Sequence, residues 1–378
     1  MIRRVPLIKP DLPPFDQLEG PLRTILDSGR VTNFGPVAES FEKEAGALLG
    51  TEVVAVSSDT TGLLLTLQAL GIPPGARVAL PSFTFVATAQ AVLYAGAVPV
   101  FVDVEDDLTL SPADLEAVLH RHPDVAAVIG VHTYGLPCRV DAIREVTAAA
   151  AARASRPIPV LYDAAHAFGS SVDGRRVGGF GTAEIFSLSA TKLLVSVEGG
   201  LVASADRDLL ARLRRMRNYG LDPHYEARWP GLNGKMSELH ALVGLLNLRR
   251  LDDLLAARQS RARYYLARVR ERTGFATLPW PPEITHTFKD FTVLVTGPLA
   301  ARRDAVLAFL DARGIETRAY FYPPVHEQQF FRRFADRPLP RTEALSRRVI
   351  TLPFFTSISE AEMDHVVDGL REAERRVA

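Results

Sequence analysis

A series of short apolar runs between residues 50 and 205 constrains the fold of this chain more than any other feature, because each run alternates with a helix-like segment. Most of the runs are continuous stretches of Val, Ile and Leu rather than alternating patterns, as is typical of strands that are buried on both faces. Such an order of strands and helices predicts an α/β fold with a mostly parallel sheet. The predicted strands cover residues 53–58, 77–83, 98–104, 125–132, 158–165 and 183–189, and residues 199–204 are a candidate for a further strand that closes the set.

The last third of the chain has a different pattern and predicts a smaller second domain. Leucines recur at helical spacing from residue 237 to about residue 272, which predicts one long helix. This helix is followed by a strand at 291–297, a helix at 302–314 and a C-terminal helix that begins near residue 357. We therefore expect a large domain over residues 1–250, with an N-terminal arm, and a smaller α+β domain over residues 251–378.

The overall charge and the cysteine content narrow the classes of protein that fit the chain. Its 378 residues carry 44 Lys and Arg against 44 Asp and Glu, so no net field favours nucleic acid or an anionic membrane. The single cysteine, Cys138, excludes an internal disulfide framework. The N-terminus has no apolar core of signal-peptide length, and no run reaches the roughly 20 apolar residues of a membrane helix. These features predict a soluble, cytoplasmic protein.

Polar residues follow two of the predicted strands at their carboxyl ends, where parallel sheets place ligands. Asp163 lies near the carboxyl end of the strand at 158–165 and His166 directly follows it, and Ser58, Asp59 and Thr60 stand between a strand and an apolar helix. A helix start of that kind offers backbone N–H groups to an anion. Taken alone, each has an ordinary explanation: a capping Asp with a hydrogen-bonded core histidine in the first case, and a plain N-cap in the second.

Two more residues at strand ends complete the set of candidates. Phe85 follows the strand at 77–83, although Phe83 is an alternative, and an aromatic residue at this point more often belongs to the core. Lys192 follows the strand at 183–189, in the segment "FSLSATKLLVSVEGG". An anion cradle, a flat aromatic ring, a carboxylate and a lysine at one sheet edge suit pyridoxal phosphate, with the lysine as the group that forms the imine.

Ordered motifs along nearly the whole chain resemble the DegT/DnrJ/EryC1/StrS sugar aminotransferases. The motifs are "SGRVTNFGPVAESFE", "PSFTFVATAQAVLYAGAVPVFVDV", "VHTYGLPC", "DAAHAFGS", "FSLSATK", "RNYGL" and "GLNGKMSELHA", with weaker matches at "FYPPVH" and "TLPFF". The resemblance implies a fold-type-I enzyme that depends on pyridoxal phosphate and works as a homodimer with shared active sites.

The resemblance also implies roles for individual residues around the cofactor ring. Lys192 corresponds to the lysine that bonds covalently to the cofactor, and Asp163 to the carboxylate that partners the pyridine nitrogen. His166 falls where the family has Gln or His near the phenolic oxygen of the ring. Phe85 corresponds to the residue that stacks on the ring, with Phe83 kept as the alternative.

A second group of residues corresponds to the family's phosphate-binding set. Ser58, Asp59 and Thr60 match the Ser-Gly-Thr phosphate loop, and Ser187 matches a further phosphate-binding hydroxyl. Asn233 lies in the loop that, in this family, reaches the phosphate from the other subunit.

Two residues depart from the family pattern. Asp59 replaces a small residue and would set a carboxylate beside a phosphate, so we expect its side chain to turn away, as an N-cap carboxylate can. Lys235 stands where the loop usually has Arg; it keeps the positive charge but loses the bidentate geometry, which affects contacts with the substrate diphosphate.

The resemblance implies an aminotransferase that moves an amino group from an amino acid, L-glutamate being the expected donor, to a nucleotide-linked keto-deoxysugar. The motifs favour C4 of a dTDP-4-keto-6-deoxyhexose as the acceptor. One alternative is a sugar dehydratase that uses pyridoxamine phosphate, but such enzymes have His in place of the lysine. Another is a regulatory protein that binds the cofactor without turnover, and no DNA-binding module supports it.

Overall fold

The computed structural model describes residues 4–272, 274–279, 281 and 283–377. Its strands are β1 (Glu52–Val56), β2 (Arg77–Pro81), β3 (Val98–Val102), β4 (Val125–Val131), β5 (Val160–Asp163), β6 (Ser171–Val172), β7 (Arg175–Arg176), β8 (Ala183–Ser187), β9 (Gly200–Ser204), β10 (Phe275–Thr277), β11 (Ile284–Thr285), β12 (Phe291–Val295) and β13 (Val349–Leu352). Its α-helices are α1 (Phe15–Ser28), α2 (Pro36–Leu49), α3 (Asp59–Ala69), α4 (Val86–Tyr94), α5 (Pro112–Arg121), α6 (Val140–Ala154), α7 (Arg207–Met216), α8 (Glu238–Leu248), α9 (Leu251–Arg272), α10 (Arg303–Ala312), α11 (Pro340–Ser346) and α12 (Glu360–Val377). Short 3₁₀ helices lie at Thr133–Gly135, Gly297–Arg302, Val325–Glu327 and Arg332–Phe334.

A seven-stranded sheet organises the large part of the molecule, with the strand order β1-β9-β8-β5-β4-β2-β3. The pairs β2–β3, β2–β4, β4–β5 and β5–β8 are parallel, whereas β9 runs antiparallel to both of its neighbours. The predicted α/β class with a mostly parallel sheet is therefore confirmed. Because the parallel strands share one direction, their carboxyl ends meet at one edge of the sheet.

The six strands predicted from apolar runs are all present in this sheet, each shorter than its run by a few residues. The extra strand at 199–204 also exists, as β9, but it does not close the sheet at an edge. It lies between β8 and β1, paired with both. An antiparallel strand in that position brings the loop between β8 and β9 back to the carboxyl edge of the sheet.

Helix α3 lies unusually close to the sheet, and Gly62 is the reason. A Cβ atom at this position would stand 2.9 Å from Ile185 and 3.0 Å from Val202, closer than side-chain atoms pack. The glycine therefore allows the helix to rest on β8 and β9. This contact fixes the amino end of α3 at the carboxyl edge of the sheet.

The predicted long helix over residues 237–272 is wrong in one respect, because it is two helices, α8 and α9, separated at Arg249 and Arg250. The Arg249 guanidinium donates to both carboxylate oxygens of Glu44, at 3.0 and 2.6 Å. Asn247, near the end of α8, donates to the carbonyl oxygens of Asp11 and Val195, each at 2.9 Å. Neither Gly nor Pro marks the break, so the leucine spacing alone did not reveal it.

A second hydrophobic core forms around the antiparallel sheet β10-β12-β13, with α10, α12 and the second half of α9. The extended segment before α1 joins this core: the Val5 N–H donates to the Gly314 oxygen at 2.8 Å, and Val5 is fully buried. Helix α9 contributes Leu254 to the core of the large sheet and Tyr265 to the second core. A domain boundary at residues 250 and 251 thus remains a proposal. Among the described residues, no helix combines the length and the apolar character that crossing a membrane requires.

Candidate active site

A cavity of about 330 Å³ opens at the carboxyl edge of the large sheet. Its volume falls within the range of small-molecule and cofactor sites, roughly 300–1,000 Å³. All of the residues predicted for the site, except Asn233, contribute to its lining. These residues are Ser58, Asp59, Thr60, Phe85, Asp163, His166, Ser187 and Lys192.

Asp163 is the last residue of β5 and is held in a fixed orientation. Thr88 Oγ1 donates to one carboxylate oxygen at 2.7 Å, and the Ala165 N–H donates to the other at 3.1 Å. Burial raises the pKa of Asp163 above its ordinary value, while the hydrogen bond from Thr88 acts to lower it. A cation bound against this carboxylate would therefore relieve the cost of burying it.

Lys192 lies in the loop between β8 and β9 and faces the cavity. Burial, and then the positive charge of Lys289, lower the pKa of Lys192 from 10.5 to about 8. Nearby carboxylates, Asp290 first among them, partly oppose this effect. A neutral amine is the nucleophilic and basic form of lysine, so this environment suits covalent catalysis.

The two phenylalanines after β2 have different surroundings. Phe83 is fully buried and packs edge-on against Tyr134 and Phe321, with ring centroids 6.1 and 5.6 Å apart. Phe85 lines the cavity and is 57% exposed in the single chain. Of the two alternatives, Phe85 is thus the one that lines the cavity, and its stacking on a cofactor ring stays a prediction.

The amino end of α3 forms the side of the cavity that suits an anion. Ser58 is the N-cap, and its Oγ accepts the Thr61 N–H at 3.1 Å, which leaves the N–H groups of Asp59 and Thr60 for an outside acceptor. The sequence predicts that the Asp59 side chain turns away from a bound phosphate, and the structure buries it at this end of the cavity. The residue is 7% exposed, lines the cavity, and is close enough to Asp163 for that carboxylate to raise its pKa. Because Ser58 is the cap, Asp59 is the first helical residue and its carboxyl is not used for capping.

His166 lines the cavity three residues after Asp163, and its surroundings keep it neutral. Burial lowers the pKa of His166 well below its ordinary value, and the positive charge of Lys192 adds to the effect. The imidazole is nearly parallel to the rings of Tyr134 and Phe321, at centroid distances of 6.5 and 6.3 Å. A neutral imidazole offers one donor and one acceptor to a ligand.

Asn233 does not reach the cavity of its own chain. It is exposed and pairs through its backbone with Asn218, in the loop between α7 and α8. Lys235 donates to the Asn218 side-chain oxygen at 3.1 Å and lies 4.9 Å above the ring of Tyr219. A role for either residue in a neighbouring subunit stays a prediction.

Sequence reasoning missed one charged pair in the cavity wall, Lys289 and Asp290, directly before β12. Both residues are 4% exposed, and Lys289 Nζ donates to both Asp290 oxygens at 2.9 and 3.0 Å. Tyr320 and Phe321, from the same part of the chain, also line the cavity. The only signal in the sequence was a charged pair in front of the apolar run "FTVLV".

These residues fit pyridoxal phosphate. The free N–H groups at the start of α3 suit the phosphate, Asp163 suits a protonated ring nitrogen, Phe85 suits a ring face, and the amine of Lys192 suits the aldehyde. The cavity is large enough for the ring and for a bound substrate portion.

Comparisons with known proteins agree with this assignment. The chain is 34% identical over 350 residues to the GDP-perosamine synthase of Caulobacter vibrioides, covering 91% of this chain and 92% of that protein. It is similar to the crystal structure of DesI in the presence of its TDP-sugar product, with a TM-score of 0.91, 34% identity, and coverage of 100% of this chain and 94% of that one. It is also similar to S. venezuelae DesV in complex with a ketimine intermediate, with a TM-score of 0.88, 33% identity, and coverage of 99% and 100%.

The pattern of one family matches residues 17–371. That span contains the whole of the large sheet and every residue that lines the cavity. The chain therefore belongs to the DegT/DnrJ/EryC1/StrS aminotransferase family and is a pyridoxal phosphate-dependent sugar aminotransferase.

Proposed function

We propose that this enzyme transfers an amino group from L-glutamate to a nucleotide-linked keto-deoxysugar, at C4 of a dTDP-4-keto-6-deoxyhexose. The observation that carries the proposal is one cavity that presents the amine of Lys192 with its lowered pKa, the fixed carboxylate of Asp163 and the amino end of α3. When bound there, the cofactor supplies an electron-withdrawing ring that stabilises negative charge at the reacting carbon.

Lys192 is the residue that moves protons in this scheme. Its Nζ takes a proton from the α-carbon of the donor in the first half-reaction and returns one to the sugar product in the second. With a pKa of about 8, roughly a tenth of the amine is neutral at pH 7, against fewer than about one in a thousand at a pKa of 10.5. Burial and the Lys289 charge thus prepare the base for neutral pH.

Asp163 and Phe85 hold the reacting groups in place. The two hydrogen bonds on Asp163 prevent the carboxylate from rotating, so its charge stays directed at one point in the cavity. His166, kept neutral, supplies a hydrogen bond without adding a cation beside Lys192. Each of these features lowers the reorganisation that the site must undergo as charge develops.

The identity of the acceptor sugar nucleotide is a proposal, because the similar sugar aminotransferases are described with different nucleotides. The structure of DesI holds a TDP-sugar product, which supports a thymidine nucleotide, whereas GDP-perosamine synthase carries a guanosine nucleotide in its name. A homodimer with shared active sites, expected from the family resemblance, is part of the proposal, and Asn233 lies exposed outside the cavity of its own chain, as a residue that serves a neighbouring subunit would. A cytoplasmic location, expected from the sequence, likewise stays a prediction.

A panel of amino donors and nucleotide-linked ketosugars, read by mass spectrometry, tests the proposal. We expect the amino sugar to form from the dTDP-linked 4-ketosugar with L-glutamate, and not with the Lys192→Ala variant. A product that has lost water instead would point to a dehydratase. Amination of a GDP-linked sugar alone would contradict the proposed nucleotide, and no product with any pair would contradict the proposed substrate class.

A further inference from the structure

The proposed chemistry gives no role to the carboxyl of Asp59, which lines the cavity. It is 7% exposed, and its Oδ1 atom is buried without a hydrogen-bond partner. A buried polar atom without a partner costs free energy, and proteins seldom retain one without a use. The atom belongs to the first residue of α3, beside the backbone N–H groups that suit an anion.

The backbone around Asp59 cannot shift to hide this carboxyl. The turn between β1 and α3 packs directly on β9, where a Cβ atom on Gly200 would lie 2.6 Å from the Ser58 carbonyl carbon and 2.7 Å from the Asp59 nitrogen. Ser58 Oγ further fixes the turn through its bonds with the Thr61 N–H and hydroxyl, at 3.1 and 2.9 Å. The backbone of Asp59 is therefore fixed beside the cavity that the residue lines.

Two charged groups face Asp59 in the described part of the chain. Burial raises the pKa of Asp59 well above its ordinary value, the carboxylate of Asp163 raises it further, and the ammonium of Lys192 lowers it. Cofactor binding changes two of these surroundings in the same direction. An imine at Lys192 would replace the ammonium by a more weakly basic nitrogen, and a phosphate at the start of α3 would bring new negative charge.

We propose that Asp59 takes up one proton from solvent when the cofactor binds, and that its neutral carboxyl then donates a hydrogen bond to the cofactor phosphate. The inference rests on the proposed function, in that the amino end of α3 receives the phosphate. An ionised carboxylate in this position would repel the phosphate, whereas the neutral acid can donate a hydrogen bond to it. Asp59 then adds its own pH dependence to cofactor affinity, beside that of Lys192.

Cofactor titrations of the cofactor-free protein at several pH values test the proposal, with binding followed by absorbance. The variants are Asp59→Asn, which keeps the size, and Asp59→Gly, which restores the small residue of the family loop. Asp253→Asn, at an exposed carboxylate on α9, is the matched control. We expect the ratio of the native Kd to the Asp59→Asn Kd to rise with pH, by up to about tenfold per pH unit.

Proton uptake provides a second, independent readout. Calorimetry of cofactor binding in buffers of different ionisation enthalpy measures the number of protons taken up. At some pH between about 6 and 9, native protein and Asp253→Asn should each take up about one proton more than either Asp59 variant. Equal uptake by all four proteins across this range would overturn the inference, as would Kd values that keep a constant ratio. If none of the proteins bound the cofactor, the proposed function itself would fail.

Discussion

Replacing Lys289 with Met tests how the protein sets the pKa of Lys192. Lys289 is buried beside Asp290 in the cavity wall, and its charge is the largest cause after burial of the low pKa of Lys192. Methionine has a similar length and no charge. We therefore expect the pKa of Lys192 to rise in the Lys289→Met variant.

The size of the effect follows from the value in the native protein. The pKa of Lys192 falls from 10.5 to about 8, which corresponds to about 3 kcal/mol. Burial is the largest cause and remains in the variant. Loss of the Lys289 cation, which also leaves Asp290 without its partner, should raise the pKa by about one unit.

Asp290→Asn is the matched variant, because Asp290 acts on Lys192 in the opposite direction. Removing this carboxylate should lower the pKa of Lys192. Competitive acetylation of the cofactor-free protein, with mass spectrometry of the peptide that holds Lys192, gives the pKa from the pH dependence of labelling. Thermal unfolding of both variants is the control for correct folding, since each leaves a buried charge unpaired.

The sign of the pH dependence follows from these values. Below its pKa, Lys192 is charged and inactive as a base, so the labelling rate should rise with pH and level off above about pH 8 in the native protein. The plateau should begin about one unit higher in Lys289→Met and lower in Asp290→Asn. Midpoints that do not move, or that move in the same direction in the two variants, would refute this account.

Three further predictions concern the cofactor partners and the assembly. Asp163→Asn should lose roughly one to two decades of turnover with little loss of cofactor affinity, because a neutral amide no longer stabilises a protonated ring nitrogen; near-native turnover would show that another residue does this. Phe85→Leu should weaken cofactor binding measured by titration, whereas Phe83→Leu should lower the melting temperature instead, since Phe83 is fully buried; the reverse pattern would exchange their roles. Mixing inactive Asn233→Asp with inactive Lys192→Ala should restore activity at about a quarter of the sites, because each heterodimer then holds one intact shared site. If activity does not recover after subunit exchange that is verified by mass, Asn233 acts in the site of its own subunit.

Much of the fold was predictable because buried parallel strands leave a strong pattern. The run "VAAVIGVH" predicted β4, observed at Val125–Val131, and the run before Asp163 predicted β5. Strand order was not predictable, and β9 shows why. The apolar residues of β9 would read the same in the sequence whether the strand lay at an edge or between two others. Its pairing with both β1 and β8 depends on the whole sheet.

The candidate site was predictable where one rule applies: chemistry-bearing residues follow the strands of one parallel sheet. The rule brought together Lys192, Asp163 and the start of α3. The rule does not predict Lys289 and Asp290, because they precede an antiparallel strand of a different sheet. They line the cavity because the two parts of the chain pack against each other.

The direction of a side chain was also beyond the sequence. The identity of Asp59 was visible, and its departure from the family pattern raised the question of where its carboxyl goes. The answer depends on the contact between Gly200 and the turn before α3, which only the folded chain contains.

The central claim is that Lys192 bonds covalently to the cofactor, and borohydride reduction followed by peptide mapping tests it most directly. Reduction of the native protein loaded with pyridoxal phosphate should leave the mass of the cofactor on the peptide that holds Lys192, and the Lys192→Ala variant should carry none. Lys289 is the other lysine in the cavity wall and is the natural alternative. A reduced adduct on Lys289, or on no lysine at all, would contradict the account.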